Sequence, residues 1–216
     1  RPIPEVELIN ISGARWMRAH PPALRALFPK ARIIEFYGAS EASFVAWMDA
    51  DEASSPQAVG RPFSYVKIDI RSTADHSVAE ASRSQEGDGL IYIRSPMLFM
   101  DYVGDAHDPT AVLRDGDWLS VRDMGHIDER GMLCLAGRQS RMIVTQGKNL
   151  FPEEVENLLT EHPQIAQASL HGSADALRGM QGQAVVQWKP DMAEPHPGAL
   201  ALSQWLRERT EAFKVP

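Results

Sequence analysis

The 216-residue chain has a single cysteine and fewer basic than acidic residues. Cys134 cannot form an internal disulfide, and its apolar neighbours predict a small buried thiol. Lysine and arginine number 22 against 29 acidic residues, and no basic run is combined with aromatic residues. This pattern argues against nucleic acids and anionic membrane surfaces as partners.

Long apolar runs are also missing from the sequence. The longest runs span a few residues, whereas crossing a bilayer takes roughly 20, and no signal-peptide pattern is present. The seven histidines are scattered without metal-ligand spacing, so no zinc site is predicted. We therefore expect a cytoplasmic protein with no membrane span. The chain begins at Arg1 and ends at Pro216 directly after a helical pattern, which suggests a piece of a longer protein.

The first 60 residues have the pattern of a parallel α/β layer. A strand over Val6–Ile11, a helix beginning at Pro21 and a strand over Arg32–Phe36 follow one another. The second strand leads directly into the polar motif Tyr37-Gly38-Ala39-Ser40-Glu41. Open α/β sheets usually bind ligands at the carboxyl ends of their strands, so this position favours a site.

After about residue 60 the pattern changes to short alternating strands, which predicts a β-rich subdomain. Strands are expected over residues 65–70 and 90–94, with a polar loop from residue 72 to residue 89 between them. Two further strands are expected over residues 132–136 and 142–145. Between them, Gly137-Arg138 and the polar residues that follow interrupt the apolar pattern, and we place a domain boundary after residue 138.

The last part of the chain, residues 139–216, is predicted to form a small α+β unit. A helix begins at Pro152 and carries Val155, Leu158, Leu159 and His162 on one face. Apolar runs follow over residues 165–170 and 184–188. A final helix is expected to carry Leu202, Trp205, Leu206 and Phe213.

The motif that follows the second strand has the chemistry of a nucleotide site. The ring of Tyr37 can stack on adenine, and Gly38 lets the backbone approach a ligand closely. Ser40 can donate to a phosphate, and the carboxylate of Glu41 can hold Mg²⁺. The alternative for an isolated motif of this kind is a tight turn after a strand, with Glu41 exposed to solvent where the chain leaves the turn.

The sequence Phe36 to Glu41 resembles the aromatic-Gly-x-Ser/Thr-Glu motif of the adenylate-forming superfamily, which includes acyl-CoA synthetases. The resemblance continues, in matching order and spacing, through Gly60-Arg61-Pro62, Asp88 to Arg94, Trp118 to Gly125, Gly131, Gly137-Arg138 and Gly147 to Glu156. It implies a mixed α/β and α+β fold. Residues 1–138 would be the end of the large AMP-binding domain, with a distorted barrel as its β-rich part, and residues 139–216 an incomplete, mobile C-terminal domain.

By this resemblance, Tyr37, Gly38, Ala39 and Ser40 contact the nucleotide, Ser40 and Glu41 take part in catalysis, and Glu41 binds the metal. Asp123 matches the aspartate that binds ribose, although Leu119-Ser120-Val121-Arg122-Asp123 departs from the common form Tyr-x-Thr-Gly-Asp. An ordinary turn aspartate is the alternative for Asp123.

Three further residues near the predicted domain boundary acquire roles by the resemblance. Arg138 matches an arginine that contacts the ribose, with a surface ion pair as its alternative. Ser140 takes the place of a charged hinge residue, and a plain loop residue explains it equally. Gly147 would lie in a loop, Gly147-Lys148-Asn149, that lines the channel for CoA, whereas a strand-to-helix turn also explains the glycine.

The resemblance implies an ATP-dependent carboxylate:CoA ligase with ATP, Mg²⁺ and CoA as cofactors. Its partner would be a small carboxylic acid such as a fatty acid, and a homodimer is left open. The family's phosphate loop and C-terminal lysine are not found between Arg1 and Pro216, so this chain is expected to be inactive alone. Two alternatives remain open: a non-catalytic nucleotide-binding or interaction module, and an adenylating enzyme that loads a carrier protein.

Overall fold

The computed structural model describes residues 1–13, 21–53, 55–72, 87–103, 112–190 and 195–216. Most of the polar loop expected from residue 72 to residue 89 lies outside these ranges. The chain divides into two compact units, Arg1–Ala136 and Gly137–Pro216. This division falls two residues before the boundary that the sequence predicts.

The first unit begins with the predicted α/β layer. Strand β1 (Leu8–Ile11), helix α1 (Pro21–Leu27) and strand β2 (Arg32–Ala39) follow in order. Strands β1 and β2 pair in parallel, with Ile9 opposite Ile33, as the strand-helix-strand pattern predicts. Strand β2 runs three residues beyond Phe36, so it includes the first residues of the polar motif.

Antiparallel strands follow β2 along the chain. They are β3 (Ser43–Asp49), β4 (Ala58–Pro62), β5 (Lys67–Arg71), β6 (Gly89–Arg94), β7 (Leu113–Asp115), β8 (Trp118–Ser120), β9 (Asp123–Ile127) and β10 (Leu133–Arg138). Within the described residues the strand order is β1-β2-β3-β4-β10-β9-β6-β8-β7, and β5 also pairs with β6. The mixed α/β class with a β-rich part is therefore confirmed.

Strand β5 begins later than the sequence predicts, at Lys67. Tyr65 has a φ of 70°, which is incompatible with a pleated strand, and its side chain is exposed. The alternating apolar residues of the neighbouring strands supply the core, in which Val45, Ile93 and Leu133 are fully buried. Cys134 is also buried, as predicted, with its Sγ 3.7 Å from the Oγ of Ser55.

The second unit is a four-stranded antiparallel sheet with helices. Its elements are β11 (Ile143–Thr145), β12 (Lys148–Leu150), α2 (Pro152–Glu161), β13 (Ile165–Asp175), β14 (Gly179–Trp188) and α3 (Ala199–Arg207). The strand order is β12-β11-β14-β13. Helix α2 buries Val155 and Leu159, two members of the predicted apolar face, in one core with Leu206 of α3. The predicted α+β unit is present.

The last helix is shorter than the sequence predicts. Helix α3 ends at Arg207, and the backbone N–H groups of Arg209 and Thr210 both donate to the carbonyl oxygen of Leu206. Phe213 lies in a separate 3₁₀ turn, Ala212–Lys214, and packs against the same core. The prediction of one helix through Phe213 is therefore wrong. Phe213 is partly buried against the same core as the helix residues and has a helical spacing from them, although the helix ends before it.

No helix in the described ranges is both long enough and apolar enough to cross a membrane.

Candidate active site

The polar motif forms the turn of the β2–β3 hairpin. Tyr37, Gly38 and Ala39 end strand β2, and the N–H of Ala42 donates to the carbonyl oxygen of Ala39 across the turn (3.1 Å). A Cβ atom added at Gly38 would lie 2.2 Å from the carbonyl oxygen of Ser43, far inside van der Waals contact. The hairpin itself therefore requires this glycine, which is a reason that the sequence pattern did not reveal.

A hydrogen bond joins the motif to the predicted ribose-binding aspartate. The hydroxyl of Tyr37 donates to Oδ2 of Asp123 at 2.6 Å, across 86 residues of sequence. Asp123 is 9% exposed, and a carboxylate this buried needs such donors. Two candidate side chains from separate motifs are thus in direct contact, at the carboxyl end of β2 and the start of β9.

The backbone before Asp123 is held in an unusual conformation. Arg122 has a φ of 65°, in the left-handed region that few non-glycine residues adopt. Its N–H donates to Oγ of the buried Ser120 (3.1 Å), which closes the turn between β8 and β9. Arg122 stands where the common family form has glycine. The left-handed φ at this position accounts for the preference for glycine, and the turn still forms with arginine in its place.

Glu41 is held by a tyrosine that sequence reasoning missed. The hydroxyl of Tyr102 donates to Oε1 of Glu41 at 2.6 Å. The main chains also meet, because the N–H of Phe99 donates to the carbonyl oxygen of Glu41 (2.9 Å). Ser40 is exposed in the same turn. No spacing rule links Glu41 with a residue 61 positions later, so the sequence offered no signal for this pair.

Glu41 is the residue of this turn whose side chain could hold a magnesium ion. Among the described residues there is no group of three or more histidine, cysteine, aspartate or glutamate side chains that could form a closed metal site. Mg²⁺ usually takes only one or two protein carboxylates and completes its shell with phosphate oxygens and water. A single partly exposed carboxylate such as Glu41 suits this mode of binding.

The strand predicted to end at Ala136 is longer than expected, because β10 continues through Gly137 and Arg138. A Cβ atom added at Gly137 would lie 2.6 Å from Oε2 of Glu153, so the glycine makes room for that carboxylate. Arg138 is the last residue of the strand and is exposed. Ser140, the candidate hinge, is exposed in the 3₁₀ turn Gln139–Arg141 that follows.

Arg141, directly after the candidate hinge, ties this segment to helix α2. Its guanidinium contacts Glu153 at 2.9 Å and Glu156 at 2.6 Å. The hydrogen bond to Glu156, together with the charges of both glutamates, raises the pKa of Arg141 above its ordinary value. Glu156 also accepts the N–H of Leu170 (2.7 Å), so its carboxylate links the segment to β13 as well. Sequence reasoning missed this network.

Gly147 belongs to a β-hairpin. Gln146 and Gly147 have φ values of 53° and 74°, and they form a two-residue turn between β11 and β12, where Thr145 pairs with Lys148. The predicted loop over Gly147-Lys148-Asn149 is therefore wrong for Lys148 and Asn149, which lie in β12. Two successive left-handed residues are the signature of this turn, and Gln-Gly signals it less clearly than Asn-Gly.

The fold is a mixed α/β unit with a large sheet, followed by a small α+β unit. The AMP-binding enzyme family model matches residues 2–103, and the model of the AMP-binding enzyme C-terminal domain matches residues 154–216. The chain belongs to this family, the adenylate-forming enzymes.

Two relatives from Bacillus subtilis are carboxylate–CoA ligases by name. The chain is 35% identical to the uncharacterized acyl-CoA ligase YhfT over 214 residues, covering 98% of this chain and 40% of that protein. It is 32% identical to a long-chain-fatty-acid–CoA ligase, covering 99% of this chain and 38% of that protein. The chain thus spans about two fifths of the length of these relatives.

Solved structures agree with the fold. The amide bond synthetase McbA of Marinactinospora thermotolerans superposes with a TM-score of 0.72 at 26% identity, over 91% of this chain and 44% of that one. The o-succinylbenzoate CoA synthetase of Bacillus subtilis, solved with its acyl-adenylate intermediate, gives a TM-score of 0.79 over 100% of this chain and 42% of that one. Its identity of 23% makes it evidence for the fold alone.

Proposed function

We propose that the protein of which this chain forms part is an ATP-dependent carboxylate:CoA ligase. A carboxylate oxygen of the acid attacks the α-phosphorus of ATP, which releases pyrophosphate and leaves an acyl-adenylate. The CoA thiol then attacks the acyl carbon, forming the thioester and releasing AMP. Adenylation makes the second step possible because it converts a poor leaving oxygen into a good one.

The hydrogen bond between Tyr37 and Asp123 is the observation that carries this proposal. It joins the ring of Tyr37 near the end of β2, four residues before Glu41, to the buried carboxylate at the start of β9. An adenosine needs one group to stack on its base and one acceptor for its ribose hydroxyls. Tyr37 and Asp123 supply these two groups side by side.

The remaining residues of the turn suit the triphosphate. The exposed hydroxyl of Ser40 can donate to a phosphate oxygen, while Glu41 would hold Mg²⁺ beside it. When bound, the ion would neutralise phosphate charge as pyrophosphate departs. The chain's own contribution is to place the serine and the carboxylate in one short turn that Gly38 keeps closed.

The second unit would serve the thioester step. We assign Arg138 to the ribose, Ser140 to the hinge and Gly147 to the path of CoA. Arg141 fixes the segment after Ser140 to α2, so backbone change during domain rotation would concentrate at or before Ser140. The exposed hairpin turn at Gly147 is slim enough to lie against pantetheine.

The proposal is tested with the natural-length protein, an acid, MgATP and CoA. We expect an acyl-CoA, AMP and pyrophosphate in equal amounts, measured by mass spectrometry. Glu41→Gln should weaken Mg²⁺-dependent adenylation, and Asp123→Ala should raise the KM for ATP. Unchanged kinetics in both variants would contradict the site assignment. The acid panel should include fatty acids, because one relative is a long-chain-fatty-acid–CoA ligase.

A second candidate function keeps adenylation and changes the acceptor. The likeness to an amide bond synthetase favours it, since that name describes an enzyme that makes an amide. Offering CoA, simple amines and a carrier-protein thiol in parallel separates the candidates. Transfer to an amine or carrier without transfer to CoA would replace the ligase assignment.

A further inference from the structure

Glu41 accepts hydrogen bonds at its side chain and at its main chain from one segment of the first unit. Tyr102 donates its hydroxyl proton to Oε1 at 2.6 Å, and the N–H of Phe99 donates to the carbonyl oxygen at 2.9 Å. Among the residues that the structure describes, Oε2 of Glu41 accepts no hydrogen bond. The two carboxylate oxygens thus have different surroundings.

The segment that carries Tyr102 is itself fixed. The rings of Phe99 and Tyr102 meet edge to face, with centroids 4.8 Å apart. Arg114 donates to the carbonyl oxygens of Phe99 and Met100, both at 2.8 Å, and its guanidinium lies 5.0 Å from the centre of the Phe99 ring. These contacts stabilise the position of the Tyr102 hydroxyl although the tyrosine is 37% exposed.

We propose that Tyr102 is a positioning residue that orients Glu41 for Mg²⁺. By holding Oε1, its hydroxyl fixes the rotation of the carboxylate and leaves Oε2 as the oxygen for the ion. Partners of this kind orient ligands before a metal arrives, which lowers the entropic cost of binding. The inference rests on the proposed role of Glu41 as the metal ligand.

Tyr102→Phe removes the hydroxyl and keeps the ring that packs on Phe99. We expect the variant to weaken the Mg²⁺-dependent part of nucleotide binding by about tenfold, as loss of such partners does at metal sites. Binding of the metal-free nucleotide should be unchanged, because Tyr102 acts through the carboxylate. Tyr65→Phe is the matched control, since Tyr65 is 86% exposed and lies outside this cluster.

The experiment is calorimetric titration of the natural-length protein with a non-hydrolysable ATP analogue, with and without Mg²⁺. The variants are Tyr102→Phe, Glu41→Gln, the double variant and Tyr65→Phe, each checked by thermal unfolding. In the Glu41→Gln background the Tyr102 change should have no further effect on the Mg²⁺ dependence, because the group on which it acts has lost its charge.

The outcomes separate this inference from the proposed function. If Glu41→Gln abolishes the Mg²⁺ dependence and Tyr102→Phe leaves it intact, the positioning role is wrong while the assignment of Glu41 stands. If Glu41→Gln itself has no effect on the Mg²⁺ dependence, the proposed metal site fails and the inference fails with it. Equal weakening with and without Mg²⁺ in Tyr102→Phe would indicate a general structural role and would also overturn the positioning role.

Discussion

The two units hold their candidate residues in different ways. In the unit Arg1–Ala136, two candidate carboxylates accept hydrogen bonds from tyrosines that are distant in sequence: Asp123 from Tyr37, and Glu41 from Tyr102. In the unit Gly137–Pro216, Ser140 and Gly147 are placed by a 3₁₀ turn and a hairpin turn.

From this difference we expect the units to contribute differently to the proposed reaction. Oriented polar side chains bind charged groups at fixed points, which is what a nucleotide and a metal ion require. Exposed turns present backbone and shape, which suits a hinge and the wall of a channel. Removing a polar candidate side chain from the first unit should therefore change affinity, whereas substitutions in the exposed turns of the second unit should mainly change stability or the proposed thioester step.

Gly38→Ala is expected to have the largest effect. The new Cβ would lie 2.2 Å from the carbonyl oxygen of Ser43, so the hairpin must shift, at a cost of about 3 kcal/mol. Thermal unfolding and ATP-analogue binding should both deteriorate. Gly116→Asn is the control, because its site is open and asparagine tolerates a positive φ. Normal binding by the Gly38 variant would contradict the described turn.

Tyr37→Phe removes the hydroxyl that donates to Asp123. A hydrogen bond to a charged group contributes about 1.5 kcal/mol or more to stability. Because this hydroxyl orients the carboxylate proposed to bind the ribose, its loss should also raise the Kd for ATP, by at most about tenfold. The stacking ring remains, and the Kd for the acid should not change. Calorimetry measures both constants, with Tyr92→Phe as the control elsewhere in the unit. An unchanged Kd for ATP would show that the hydroxyl is irrelevant to the site.

Gly147→Ala tests the turn at Gly147 in the unit Gly137–Pro216. Nothing lies within 4 Å of the added Cβ, but the φ of 74° strains any residue other than glycine by about 1 kcal/mol. We expect a lower melting temperature, with pyrophosphate exchange retained. Loss of exchange in a folded variant would mean that Gly147 belongs to the adenylation step.

Arg122→Gly, in the first unit, should increase the free energy of unfolding, whereas Gly147→Ala lowers it. Glycine relieves the left-handed φ of 65° but is more flexible when unfolded, so the net gain is about 0.5 kcal/mol. Denaturant unfolding measures this difference. A loss of stability would show that contacts of the arginine side chain outweigh the backbone strain.

His162 gives the smallest expected effect, a pH dependence in the second unit. Burial, followed by the charges of Arg209 and Lys189, lowers the pKa of its imidazole below the ordinary value of 6.5. Its Nδ1 accepts the N–H of Gln164 at 3.3 Å, which requires that nitrogen to be unprotonated.

A lowered pKa in the folded state means that the unfolded state takes up the proton first. The contribution of His162 to stability is therefore complete above about pH 6.5 and declines as the pH falls through the folded pKa. His162→Gln should flatten the melting temperature across this range, while His171→Gln at an exposed position should not. Identical profiles for the two variants would contradict the prediction.

Local patterns predicted much of the fold. The parallel β1–β2 pair, the opening of α2 at Pro152 and its buried face at Val155 and Leu159 all follow from apolar periodicity. Periodicity failed at Phe213, because a residue in a separate turn can enter the same core with the spacing of a helix. The loop that the resemblance implied failed at Lys148, which lies in a strand, because a two-residue turn leaves little trace when its first residue is glutamine.

The candidate site could be predicted as residue types but not as contacts. Glu41 and Asp123 stand out by motif, whereas Tyr102 lies 61 residues from Glu41 and carries no local signal. Hydrogen bonds over such distances depend on which strands become neighbours, and the chain pattern alone does not determine this. The reason for Gly38, a close approach to Ser43, likewise becomes visible only when the hairpin is formed.

Acid-dependent exchange of labelled pyrophosphate into ATP tests the central claim most directly. The natural-length protein is assayed with short, long and aromatic acids, beside its Glu41→Gln variant and the 216-residue chain. We expect exchange by the natural-length protein with one class of acid, a strong reduction in the variant, and none by the chain alone. No exchange with any acid, from protein shown to be folded, would contradict the account and favour a non-catalytic nucleotide-binding module.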